Sequence, residues 1–307
     1  MTLNEILLVC AALLPALILC AYVYKKDKAE KEPFGLLALL LVGGVIICFP
    51  AAELEVRLLD FVERFFIGFA QDDGTGVFVL GDIGYKLYIA ARNFVGIALV
   101  EEGLKLAVLL LITRKSPHFN SLFDGIIYAV FVSLGFAAFE NVLYVLENGW
   151  LNAIMRGILS VPGHAFFGVI MGYYYSWWHI YKKADENENA FKKMNIIFDG
   201  DRIKYKRFLC LSLFIPVLIH GYYDYCCSIG TLSGTLGLYA LVLALYFYCF
   251  AKIRKMSSLD TSSVRVSARV LLLTHPTLVT VLEERGIQTS ELTDEGALNE
   301  IIRSFED

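Results

Sequence analysis

Apolar runs long enough to cross a membrane, separated by short clusters of charge, dominate this chain. The runs cover residues 3–24, 34–52, 85–113, 121–147, 156–179, 208–227 and 235–251. About 20 apolar residues in a helix span the hydrocarbon core of a bilayer, so the pattern predicts an all-α polytopic membrane helix bundle with about seven transmembrane helices. Residues 53–69 (ELEVRLLDFVERFFIGF) mix charge with Leu, Val and Phe at helical spacing, as expected of an interfacial helix. The loop QDDGTG comes next. Three parts are expected: 1–84 with two N-terminal spans and the interfacial segment, 85–251 as the membrane core, and 252–307 as a polar helical tail. Within the tail, Thr274–Pro276 marks a helix start, and Glu283 with Glu284 marks a solvated face.

The charge clusters orient this bundle. Lys25, Lys26, Lys28 and Lys31 follow the first run, Arg114 and Lys115 the third, and Lys252, Arg254 and Lys255 the last. The segment 182–207 adds Lys182, Lys183, Lys192, Lys193, Arg202, Lys204, Lys206 and Arg207, whereas the opposite loops hold little beyond Arg57 and Arg64. The positive-inside rule then places the N-terminus outside and the C-terminus in the cytoplasm. The chain opens MTLNE, with no basic n-region, so the first run is read as a span and not as a signal peptide.

Composition agrees: 57% of residues are hydrophobic, and the net charge of −4 leaves no electrostatic footprint for nucleic acid. The seven cysteines lie in or beside apolar runs and read as small packing residues, although the vicinal Cys226 and Cys227 also admit a redox reading. The sequence shows no internal repeat, phosphate-binding glycine loop or Gly-x-Ser-x-Gly elbow.

Chemistry enters with the polar residues embedded in the runs. Glu101, Glu102 and Lys105 share the third, Glu140 and Asn141 the fourth, His164 the fifth, and His220 with Asp224 the sixth. Glu101 and Lys105 are four apart and share a helix face, while Glu102 is turned by about 100° from Glu101. One carboxylate is therefore expected to pair with the lysine and the other to face a cavity. Ionisable groups inside a membrane face the bundle interior and pair, so four spans bringing Glu or His inward are expected to converge. The glycines at 163, 168 and 172 would let helices approach closely beside His164. Asp224, one turn after His220, suits a carboxylate that orients an imidazole. Such a cluster serves activation of water, proton- or cation-coupled transport, or a structural ion network. The lack of a duplicated Glu/His pattern weighs against transport.

EEGLK (Glu101–Lys105), FAAFEN (Phe136–Asn141), PGH (162–164) and HGYYD (His220–Asp224) together resemble the PrsW intramembrane proteases, as do FDGIIYA and RGILSVPGH between them. The resemblance covers roughly 85–251 and implies a core like that of the related CAAX prenyl protease and Abi proteins. Those relatives carry His where this chain has Glu140. It further implies a peptidase in the bacterial cell membrane, acting on a single-span membrane protein such as an anti-sigma factor among membrane lipids. In that frame Glu101 is expected to activate water, with Glu102 next in line, and Lys105 to hold the glutamate pair. His220, oriented by Asp224, would polarise the scissile carbonyl or ligate a metal, and Asn141 would donate to the oxyanion. Glu140, His164 and His220 form a candidate three-ligand site for a divalent metal such as zinc; a metal-free, glutamate-activated water is the other reading. A transporter or a catalytically silent helix-binding scaffold remain the alternatives from other classes.

Overall fold

The computed structural model describes residues 2–28, 30–72, 78–197, 203–258 and 262–288. Helix α1 (Leu3–Lys26) starts on a capping box, with the Glu5 amide donating to Thr2 Oγ1 and the Thr2 amide to the Glu5 carboxylate. It ends on Lys25 and Lys26, where cations suit the carbonyl end of a helix. Helices α2 (Phe34–Ile46) and α3 (Cys48–Ile67) are separated only by Ile47, which itself has helical torsions. The interfacial helix expected after residue 52 is thus a direct continuation of the span. The continuous stretch 34–67 is about 51 Å long, so it outruns a hydrocarbon core of about 30 Å. The charges of its far half pair along its own surface, as in Arg57–Glu53 and Arg64–Asp60.

Two short strands, β1 (Gln71–Asp72) and β2 (Phe78–Val79), pair antiparallel after α3. The central part of the expected QDDGTG loop lies outside the described residues, as do Arg202 and the tail beyond residue 288. The chain then returns through α4 (Asp82–Ala91), a π-helical turn over Arg92–Ala98, and α5 (Leu99–Thr113). Helix α6 (Asp124–Ile158) is interrupted at Gly149, whose φ of 75° and ψ of −161° only glycine adopts cheaply. There the chain reverses, and the stretch 150–158 leads through Leu159 into α7 (Ser160–Lys193). The first leg packs antiparallel on α7, with Gly125 beside Gly172 and Ser176, and Ala129 and Ser133 beside Gly168. A Cβ on Gly172 would lie 2.2 Å from the Gly125 carbonyl oxygen, so backbone meets backbone there. Helices α8 (Lys206–Ser228) and α9 (Leu232–Ser258) complete the bundle.

Every residue from Asp124 to Ala137 is buried, so the first leg of α6 is the central post. Helices α1, α2 and α7 pack along it, while leucines and phenylalanines such as Leu14, Leu17, Leu243 and Phe247 face outward as lipid-facing positions do. Among the described residues, five stretches are long and apolar enough to cross a membrane: Leu3–Lys26, Phe34–Ile67, Asp124–Lys193, Lys206–Ser228 and Leu232–Ser258. The expected count of about seven is reached by taking the third stretch as its two antiparallel legs and adding Asp82–Thr113. That last segment falls outside the five, yet it runs the length of the bundle, from Asn93 beside Ser228 to Thr113 beside Tyr175.

The basic clusters at Lys25–Lys31, Arg114–Lys115, Lys182–Lys193, Lys204–Arg207 and Lys252–Lys255 gather at one end; Arg57, Arg64, Lys86 and Arg92 lie toward the other. At the lysine-rich end, α10 (Ser263–Thr274) and α11 (Pro276–Glu284) pack Ala268, Leu271, Leu278 and Leu282 against Ala184, Phe191, Ile197 and Ile203. The described part of the tail is therefore helical, and it is docked.

Candidate active site

The π turn sits directly before the glutamate pair. Such a turn inserts an extra residue into the helix and re-aims the side chains beyond it. Opposite it Gly221 has no side chain, and a Cβ there would lie 2.5 Å from the Phe94 ring. The close approach of α8 at that point brings His220 Nδ1 to 3.0 Å from Glu102 Oε1.

Lys105 organises the centre of the site. Its fully buried ammonium donates to Glu101 Oε2 at 3.0 Å, to Glu102 Oε1 at 2.8 Å and to His164 Nδ1 at 3.1 Å, and lies 4.4 Å from the centroid of Phe136. An ammonium only donates, so His164 Nδ1 accepts. The ring proton then sits on Nε2, 3.0 Å from Glu140 Oε2. Glu140 is also ion-paired with Arg156 at 3.0 Å. His220 meets a carboxylate at each nitrogen: Glu102 at Nδ1, and Asp224 Oδ2 at 3.2 Å from Nε2. Phe167 stacks on the same ring at a centroid separation of 4.7 Å.

These groups form the floor and walls of a cavity of about 380 Å³ that extends toward the lysine-poor end, past Asn93, Tyr144, Cys227 and Ser228. Glu101, Glu140, His164, His220 and Asp224 all line it. Both glutamates of the pair bind Lys105, but Glu101 reaches the cavity, while Glu102 lies behind His220 with its Oε2 buried and unpartnered.

One ligand atom each from Glu101, His164 and His220 lies within 4.8 Å of the others. Two imidazoles and a carboxylate are the donor set of His₂Glu zinc hydrolases, and Glu140 and Glu102 stand behind the two rings as such ligands require. These three could therefore hold a divalent cation once the Lys105 ammonium gives up His164 Nδ1. Glu140, the carboxylate expected from sequence in that set, lies against His164 Nε2 instead.

Asn141 is not brought to the cavity. Its amide nitrogen donates to the Ala12 carbonyl of α1 at 2.8 Å, and its oxygen accepts from Arg156 Nε at 3.0 Å. Two cavity residues were missed from sequence. Arg156 read as the start of a span, although a lone arginine entering an apolar run was itself a signal of a buried partner. Glu55 belongs by sequence with the interfacial charges, yet it lines the cavity from α3.

Comparison with known proteins identifies the family. The profile of the PrsW family intramembrane metalloprotease matches residues 32–251. Protease PrsW of Geobacillus kaustophilus is 34% identical over 218 residues, covering 71% of this chain and 78% of the relative. That of Bacillus subtilis is 31% identical over 218 residues, covering 71% and 81%. That of Oceanobacillus iheyensis is 31% identical over 246 residues, covering 80% and 94%. No solved structure gives a significant match. The matched region takes in α2 through α9, and so every helix that lends a polar group to the cavity: the chain belongs to the PrsW family of intramembrane metalloproteases and is a membrane-embedded peptidase.

Proposed function

We propose that this peptidase hydrolyses single-span membrane proteins, an anti-sigma factor among them, at a bond just outside the cytoplasmic membrane. The observation that carries the reading is the convergence of Glu101, His164 and His220 at the floor of a cavity that extends away from the lysine-rich end. With the lysine-rich end cytoplasmic, as the positive-inside rule requires, that cavity receives an extracytoplasmic juxtamembrane bond, and the N-terminus lies outside.

Glu101 takes the proton of the attacking water, and Lys105 holds its carboxylate on the cavity wall. Glu140 and Glu102 fix the orientation of His164 and His220. Arg156, and not Asn141, is the cation that lines the cavity and faces negative charge developing on the scissile carbonyl. A divalent metal held by Glu101, His164 and His220 would polarise the carbonyl and make water more acidic. One observation favours a second, metal-free reading: the Lys105 ammonium occupies the lone pair of His164 Nδ1.

The test is purified protein in vesicles with a panel of single-span substrates, with and without chelator, alongside Glu101→Gln, His164→Ala and His220→Ala. Loss of cleavage in all three variants supports the assignment. Loss with chelator, and recovery on adding back metal, supports the cation. Cleavage by Glu101→Gln at the native rate refutes the role of that carboxylate. Proton or cation flux without cleavage supports the transport alternative, and substrate binding without either supports a scaffold.

A further inference from the structure

At the lysine-rich end, a second cavity of about 330 Å³ lies between the end of α5, the far part of α7 and the start of α10. Arg114 and Lys115 line it from the end of α5. His179, Lys182 and Lys183 line it from one face of α7, and Ser263 from the first turn of α10. Among the described residues Glu186 is the one acid on its wall, and it sits 3.4 Å from Lys182, which leaves Arg114 and Lys115 with no acid beside them there. The carbonyl end of α5 offsets only about half a charge more.

Two polar atoms on this wall are buried without a hydrogen-bond partner among the described residues: His179 Nδ1 and Ser263 Oγ. Ser263 is fully buried, and its amide is tied to the Asn120 carbonyl at 2.7 Å, so it cannot swing out to water. The His179 ring is stacked flat on Phe119 at a centroid separation of 4.0 Å, which fixes the direction of its nitrogens. The side chains of Arg114 and Lys115 form no hydrogen bond or ion pair among the described residues. Several other cations at this end are engaged, with Lys31 on the carbonyls of Tyr24 and Asp27, Lys192 on Glu188, and Lys252 over Tyr173.

A buried hydroxyl and a fixed imidazole without partners, ringed by an excess of cations, are the chemistry of an oxyanion site. We propose that this cavity binds a phosphate group, and that the head group of an anionic phospholipid in the adjoining leaflet supplies it. The site lies just past Thr113, where the apolar run of α5 ends, at the depth where basic pockets between membrane helices meet head groups. Because Ser263 belongs to α10, a lipid held here joins the tail to α5 and α7.

The test uses the full chain in phosphatidylcholine nanodiscs, with or without phosphatidylglycerol. Lipid retention is read by native mass spectrometry and stability by the thermal midpoint. One tightly retained phosphatidylglycerol per protein is expected. Removing two lipid-facing cations in Arg114→Gln/Lys115→Gln is expected to weaken it about thirty-fold. Ser263→Ala leaves the charge unchanged and is expected to weaken it about ten-fold. Lys25→Gln/Lys26→Gln removes the same charge from the same end and is expected to leave retention intact. If millimolar inorganic phosphate raises the midpoint in phosphatidylcholine alone, with the same variant pattern and no preference for phosphatidylglycerol, the phosphate site stands with a soluble source. If neither anion binds, or the Lys25/Lys26 control loses as much as the pocket variants, the proposal is overturned. None of these readouts depends on proteolysis.

Discussion

Replacing Lys105 by methionine removes one buried charge while keeping most of the apolar stem. In the native protein that ammonium satisfies two carboxylates and a histidine nitrogen at 2.8–3.1 Å, with no exposure to solvent. Removing one partner of a buried ion pair typically costs about 3–5 kcal/mol, because the remaining charge is left uncompensated. Here Glu101 and Glu102 lose their shared donor together, which puts the expected loss in the upper half of that range. That is a fall of about 10³ to 10⁴ in the folding equilibrium at 1.36 kcal/mol per tenfold. Purified protein unfolded in mixed micelles with increasing SDS, followed by fluorescence of Trp150, Trp177 and Trp178, measures it. Glu102→Gln removes one of the stranded charges. Lys105→Met combined with Glu102→Gln should therefore be more stable than the sum of the single losses by about 1–3 kcal/mol, the coupling expected within one buried network. A loss below about 1 kcal/mol for Lys105→Met, or strict additivity in the double variant, refutes the view that this lysine holds the glutamate pair.

Glu101→Gln should lower substrate cleavage in vesicles by about 10²–10⁴ at normal protein levels, the usual worth of a general base. Gly172→Ala drives a Cβ to 2.2 Å from a backbone oxygen and should sharply reduce folded protein in membranes, whereas Gly163→Ala meets nothing closer than 3.7 Å and should accumulate normally; size-exclusion profiles compare the two. Lys86→Cys should react with a membrane-impermeant maleimide in intact cells, and Lys206→Cys only after permeabilisation; the reverse pattern would invert the proposed orientation. Arg156→Gln leaves Glu140 without its cation and, on the proposed role of the arginine in facing charge that develops during attack, should lower kcat more than it raises KM.

The spans and the polar positions were legible because a membrane makes both loud: a helix must be apolar for about 20 residues, and each exception needs a partner. Depth and pairing were not legible. Counting about 1.5 Å per residue from the ends of the runs puts Glu140 and His164 toward the lysine-poor side and Glu101 nearer the middle, yet His164 Nδ1 lies 4.0 Å from Glu101 Oε2, on one level. The chain reverses at Gly149, and the return leg passes Leu159 before α7 begins, so simple residue counts misjudge height. Periodicity likewise gives the face of a helix and not its neighbour: Asn141 follows Glu140, but it turns toward α1 and is spent on Ala12 and Arg156. Glu55 was hidden for a related reason. Its neighbours Glu53, Arg57, Asp60 and Arg64 do pair along the surface at four-residue spacing, which masks the one acid that faces inward.

Glu140 and Arg156 explain each other. The Glu140 carboxylate stands beside those of Glu101, Glu102 and Asp224 around the same pair of imidazoles. Four acids share this region with Lys105 as the cation on α5 and two imidazoles that are charged only if protonated. A further acid is tolerable only with a further fixed cation, and Arg156 supplies it at 3.0 Å from the far side of the Gly149 reversal. Asn141 in turn fixes that arginine, and the Ala12 carbonyl fixes Asn141. Helix α1 lies outside the 32–251 match, yet it is thereby tied to the cavity through three successive hydrogen-bonded or ion-paired contacts. A change at Ala12 that moves its backbone should therefore reach the catalytic wall without touching a catalytic residue.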